Sequence, residues 1–169
     1  MKHLKATDYP PFFQIYIDKA TESTITEALE KGKEEFLSLL ETISETKGNW
    51  KYEEKKWTIK ELCLHILDTE RVMSFRALAF ARNDKTNLPG FSEDDYAANS
   101  KANERTLKSI IEEYKTLRET TLSLFNSFDE ETLNTIGTSN GGRMSVRALG
   151  FMIDGHQKHH LEILKERYL

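Results

Sequence analysis

Only three prolines occur in the 169 residues, at positions 10, 11 and 89, and they leave long windows in which nothing interrupts a helix. Within those windows apolar residues recur at helical spacing, which makes an all-α fold the expectation. Four long helices are predicted. The first starts at Thr24, where Glu27 completes a capping box, and carries Leu29, Phe36, Leu40 and Ile43 on one face to about Thr46. The second runs from about Thr58 to Arg82 and is apolar nearly all round, so it should be the most buried. The third spans about Asn103 to Phe128, and the fourth runs from Ser145 as N-cap to about Arg167. Helices of this number and length point to one four-helix bundle, a single domain over residues 1–169 with no linker or repeat to divide it.

The connection from Asn83 to Asn103, between the second and third helices, is far longer than the ~2–8 residues usual between bundle neighbours. It can carry the chain back along the bundle, which predicts an up-down-down-up arrangement in place of simple alternation. "SNGGRM", before the fourth helix, reads as a flexible approach to it and not as a phosphate cradle.

The fourth helix contains "DGHQKHHLEIL", three of the chain's five histidines within five positions. At about 100° per residue His160 falls roughly 40° from His156, and both sit in the middle of the stripe formed by Leu149, Met152, Ile153 and Ile163. His159 lies at its edge. A buried imidazole must satisfy two ring nitrogens, and a pair at i and i+4 can do so by binding one metal ion. Core packing with backbone or water partners explains an isolated pair equally well. His65, on an apolar face of the second helix, supplies a third histidine directed into the same core, and facing helices of a bundle are where metal sites assemble. Comparing heights along the two helices brings His65 level with His156 and His160 if the helices run antiparallel. Asp68, one turn beyond His65, is a candidate fourth ligand or an acceptor orienting His65, though a surface salt bridge is the commoner fate of such a residue. Glu70 lies on another side and suits an arginine partner. Cys63 points away from His65 and packs.

The combination of "HILDTER" with "GHQKHHLEILKERY", together with "YPPFFQIYI" and "LPGFSEDDY", resembles the DinB family, also called DinB/YfiT-like, over most of the chain. That resemblance implies a four-helix bundle of unusual topology with a divalent metal on a histidine triad, whose ligands match His65, His156 and His160, while His159 matches a neighbouring non-ligand. Some relatives are similar to bacillithiol S-transferases, and a related domain occurs in mycothiol-dependent isomerases.

Three neutral imidazoles leave a divalent ion its full charge and an open position, where a thiol or a water would be acidified. Zinc or nickel suits this donor set best, with iron or manganese also open. The leading expectation is therefore a metal-dependent thiol S-transferase, whose partners would be a low-molecular-weight thiol and an electrophilic small molecule bound under the "NLPGFSEDDY" segment. Hydrolysis by the same triad is one alternative. A non-catalytic metal-binding protein, with Asp68 closing the fourth position, is the other. Net charge −4 gives no footprint for nucleic acid or an anionic membrane, and no apolar run is long enough to span a bilayer. A single cysteine and the lack of a signal-peptide pattern suit the cytoplasm. A homodimer is compatible with such a bundle, with no interface signature to read.

Overall fold

The computed structural model describes residues 4–169. Elements α2 (Ile25–Leu40), α3 (Ile59–Ala81), α5 (Leu107–Asn126) and α7 (Val146–Ile163) are the four long helices. Three of the four starts lie where the sequence marks them, while α5 begins at Leu107, N-capped by Thr106, one turn later than Asn103. Thr24 and Thr58 each close a capping box, with Glu27 and Glu61, and the Ser145 hydroxyl accepts from the amide of Ala148 at 3.1 Å. The first helix stops at Leu40, short of Thr46, and α7 gives way to one π-helical turn over Leu164–Tyr168.

Contacts along the helices establish their directions. Asn103 bonds Thr58 and Glu61, Arg118 bonds Glu70, and Ser74 meets Thr121, so α3 and α5 run parallel. Thr26 meets Asn126 while Tyr114 donates to the Gly32 carbonyl, so α2 and α5 are antiparallel. The Tyr168 hydroxyl donates to the carbonyl of Trp57, beyond the start of α3, whereas His65 meets His156 and His160, so α3 and α7 are antiparallel. The order is up, down, down, up. The long connection does carry the chain back, and it contains a short helix, α4 (Glu93–Asn99), which is N-capped by Ser92.

Two features depart from a purely helical bundle. A three-stranded sheet joins β1 (Asn87–Leu88), β2 (Ile136–Ser139) and β3 (Gly142–Ser145), with β1 parallel and β3 antiparallel to β2. The expected flexible approach "SNGGRM" is therefore a hairpin. Asn140 and Gly141 at its tip have φ of 49° and 74°, the positive pair that a two-residue type I′ turn demands. Short helices α1 (Gln14–Ile17) and α6 (Glu130–Leu133) complete the set.

The second departure concerns burial. Every residue of α7 from Val146 to Gln157 is buried, so α7 and not α3 is the most enclosed helix. The reason is α1, which crosses the face of α7 that would otherwise meet solvent. A Cβ at Gly155 would fall inside the van der Waals shell of the Tyr16 carbonyl, so the approach needs glycine. The core is continuous with this layer at one end (Phe80, Leu149, Phe151) and gathers Phe36, Leu40, Leu67 and Tyr114 at the other.

Candidate metal centre

His65 from α3 and His156 and His160 from α7 converge as the helical spacing predicts. Their Nε2 atoms form a triangle with sides of 3.0, 3.1 and 3.1 Å. His65 and His156 are buried and His160 is partly so. Hydrogen bonding does not satisfy such a triangle. Each Nε2 offers one in-plane site, either N–H or lone pair, and all three point at a common centre, so one bond at most can form without two hydrogens colliding. The Nδ1 of His160 is a further buried atom with no partner. A single cation accepts all three lone pairs at once. With metal–nitrogen bonds of ~2.0–2.1 Å, tetrahedral ligand atoms stand roughly 3.3 Å apart, so the observed triangle fits the donor set of such an ion.

The electrostatics point the same way. Burial pushes His65 down to about 4, against a partial upward pull from Asp94. It pushes His160 to about 3, with His65 and His159 adding to the effect, and His156 well below its ordinary value. All three rings are neutral at pH 7 and present a lone pair. Aromatic neighbours fix their planes: the Tyr16 ring meets His156 at 5.3 Å, and Trp57 meets His65 at 4.8 Å.

Of the other residues singled out by sequence, His159 turns toward Tyr16 and stays outside the triad. Asp68 is not brought into it either. Its carboxylate pairs with Arg71 at 3.2 Å, so it neither ligates nor closes a coordination position. Glu70 takes the expected arginine partner, bonding Arg118 through both oxygens at 2.9 Å. Cys63 is fully buried, and its thiol is held up at about 12 by that burial, an inert packing group.

Two cavities reach the triad from different sides. One, about 300 Å³, is lined by His156 with Tyr16, Glu93, Met73, Met152 and Arg76 among others. The second, about 400 Å³, opens onto His160 and is lined by Trp57, Asp94, Lys55, Lys56 and Tyr168. The first turn of α4 faces both, Glu93 on one side and Asp94 on the other, so the "SEDDY" segment does lie over the site. Burial, reinforced by Asp94, raises the Glu93 carboxyl, and the Glu93 charge in turn raises the Tyr16 hydroxyl, itself shifted mainly by burial. Tyr16, Trp57, Glu93, Asp94 and Arg76 are the site residues that spacing alone did not single out. Tyr16 and Glu93 lie in "YPPFFQIYI" and "LPGFSEDDY", two segments that carry the family resemblance but show no period that would direct either side chain at the triad.

A helical bundle holding three inward histidines on antiparallel helices defines a class of metal-site proteins. The family comparison makes it specific: the model of the DinB superfamily matches residues 28–164, and the chain belongs to that superfamily. Among solved structures it is similar to YfiT from Bacillus subtilis, described as a probable metal-dependent hydrolase with an unusual four-helix bundle topology. The likeness has a TM-score of 0.73 and 12% identity, and covers 84% of this chain and 82% of that one. At that identity it is the fold that is shared. No curated protein matches the sequence. No helix among the described residues is long and apolar enough to cross a membrane.

Proposed function

We propose that the protein is a metal-dependent enzyme that binds one divalent ion through Nε2 of His65, His156 and His160, and that it transfers a low-molecular-weight thiol to an electrophilic small molecule. The supporting observation is the pair of cavities that open onto different members of the triad, His156 and His160. A two-substrate transfer needs space on two sides, whereas water as nucleophile needs none. When bound, such an ion supplies Lewis acidity that draws the proton from a thiol or a water at its remaining position. Asp68 is held by Arg71 and leaves that position open, which counts against a purely structural ion. Tyr16 and Trp57 hold two of the imidazole planes, so the donor atoms are oriented before anything binds. Glu93, whose burial favours the protonated form, is the carboxyl on the His156 side able to exchange a proton with a bound molecule. Zinc or nickel suits three imidazoles, and iron or manganese can occupy the same donor set.

Hydrolysis is the second reading, favoured by the likeness to YfiT. One experiment separates them. Untagged protein is compared with His65→Ala and His156→Ala by elemental analysis, and each is assayed for consumption of free thiol with a haloalkyl electrophile and for ester cleavage without thiol. Near-stoichiometric metal in the parent, lost in both variants, together with metal-dependent thiol consumption, is the expected result. Ester cleavage alone would replace transfer by hydrolysis. Folded protein that takes up neither zinc nor nickel would remove the metal reading altogether.

A further inference from the structure

Among the described residues, buried cations have anionic partners, with one exception. Lys60 pairs with Glu45, Arg118 with Glu70 and Arg147 with Glu130. Arg76 is as buried as these, 5% exposed, yet no carboxylate of the described residues lies within ion-pairing distance of it. Its guanidinium is fixed on one side only. Nη2 donates to the Pro89 carbonyl at 2.9 Å, Nη1 approaches the Met73 sulfur at 3.6 Å, and the Phe91 ring lies 6.0 Å away. Of five N–H groups, three are left without a protein partner. A buried charge left so is costly unless something else supplies the counter-charge.

Arg76 lines the 300 Å³ cavity that opens onto His156. It stands 11 residues beyond His65 on the same face of α3, roughly 16 Å along the axis at ~1.5 Å per residue. Met73 and Met152 from the two helices, with Phe12, Phe13 and Phe91 from the flanking segments, form apolar walls. The one acid on this cavity is Glu93, in the first turn of α4 and not ion-paired with Arg76. The cavity thus opens onto His156, is largely apolar along its walls, and carries its one cation at Arg76.

We infer that Arg76 is the recognition residue for an anionic group on the substrate of this cavity: a molecule with an apolar body and a carboxylate-like end, which Arg76 binds while the reacting end lies against the triad. Arginine suits the task because its planar fork can present two parallel N–H groups to a carboxylate. The inference rests on the proposed reading that this cavity serves the metal site, and it deepens that reading by naming the substrate class.

The test uses metal-free protein, so that a carboxylate cannot gain affinity from the ion. 3-Phenylpropionate and its uncharged amide, 3-phenylpropanamide, are titrated by calorimetry into the parent protein, Arg76→Gln and Arg76→Lys. The parent is expected to bind the carboxylate at least ~10-fold more tightly than the amide. Arg76→Gln should reduce that ratio to within ~2-fold, and Arg76→Lys should retain part of it. Equal binding of the two probes by the parent, failure of the parent to bind the carboxylate, or a preference that survives in Arg76→Gln would each overturn the inference. The probe comparison in the parent stands even if a variant fails to fold. Metal content and metal uptake of the protein as purified, measured separately, keep the two readings apart: protein that carries metal as purified but, once stripped, is indifferent to the probe's charge refutes the role of Arg76 alone, and protein that takes up neither zinc nor nickel yet selects the carboxylate refutes the metal centre alone.

Discussion

His156 and Gln157 are consecutive residues of α7, yet they belong to buried polar clusters of opposite character. On the Gln157 side the groups of Gln157, Arg118, Tyr114 and Glu70 find partners in one another and in the backbone: the side-chain amide oxygen of Gln157 accepts from Arg118 and Tyr114 at 2.7 Å each, its nitrogen donates to the Gly32 carbonyl, and Arg118 also binds Glu70 and the Leu29 carbonyl. On the His156 side three imidazole nitrogens face one another across 3.0–3.1 Å with no arrangement of protons that serves them all. The first set of bonds lies wholly within the chain and ties α2, α3, α5 and α7 together. The second is complete only with something added. Two polar residues equally buried on one helix therefore differ in purpose, and what separates them is whether their hydrogen bonds close.

That contrast can be broken by substitution. Arg118→Leu leaves Glu70 as an uncompensated buried charge and should cost about 3–5 kcal/mol, measured as a drop in urea midpoint. A loss under ~1 kcal/mol would mean that the sealed cluster is not what joins the helices. The pH dependence of metal-free protein offers a sharper comparison. His65 and His160 titrate at about 4 and about 3 in the folded chain and His156 also lies low, against ~6.5 when unfolded. Between those limits the unfolded state binds more protons, so the stability these groups contribute is fully present above pH ~6.5 and is lost as pH falls toward 4. Asp154, raised to about 6 by burial, works in the opposite sense, as do Glu93 and Asp68, raised mainly by burial, while His159, lowered mainly by burial, adds to the effect of the deeply shifted triad. Thermal midpoints of the chelator-treated protein should therefore fall from pH 7 to pH 5, and a flat profile would contradict the assigned neutral triad. The smallest effect is expected from His156→Leu in the same metal-free protein. Replacing an unsatisfied polar group by an apolar one of similar size should change stability by less than ~1 kcal/mol, or increase it. A large loss there would mean that the triad holds the bundle together by itself.

Much of this was legible in the sequence because it rests on local rules. Thr24 with Glu27 and Ser145 mark helix starts through bonds spanning three residues, and the 3.6-residue period alone aligns His156 with His160. The antiparallel placement of α3 and α7 followed from matching the height of His65 to theirs. What escaped depends on contacts distant in sequence. Helix α1 has four residues, too few to show a period, and only its crossing at Gly155 reveals that it covers α7. The salt bridge of Asp68 with Arg71 is local, three residues apart, and it is the further reach of Arg71 to Glu113 on α5 that lies beyond the spacing of α3. The hairpin, by contrast, is local, since Asn140-Gly141 is the favoured dipeptide of a type I′ turn.

The small sheet has a further consequence. Most of the lining of the His156 cavity comes from residues 10–16, 90–93 and 139–144, outside the four long helices, while the triad lies wholly on α3 and α7. Triad and cavity wall are thus written largely in separate stretches of chain, and two of the wall segments are held side by side by the two backbone pairings between β1 and β2. Mutational drift in those stretches, Tyr16 excepted because it packs on His156, can retune which molecules enter without disturbing the donor atoms, so the scaffold is open to diversification of its clients around an unchanged centre.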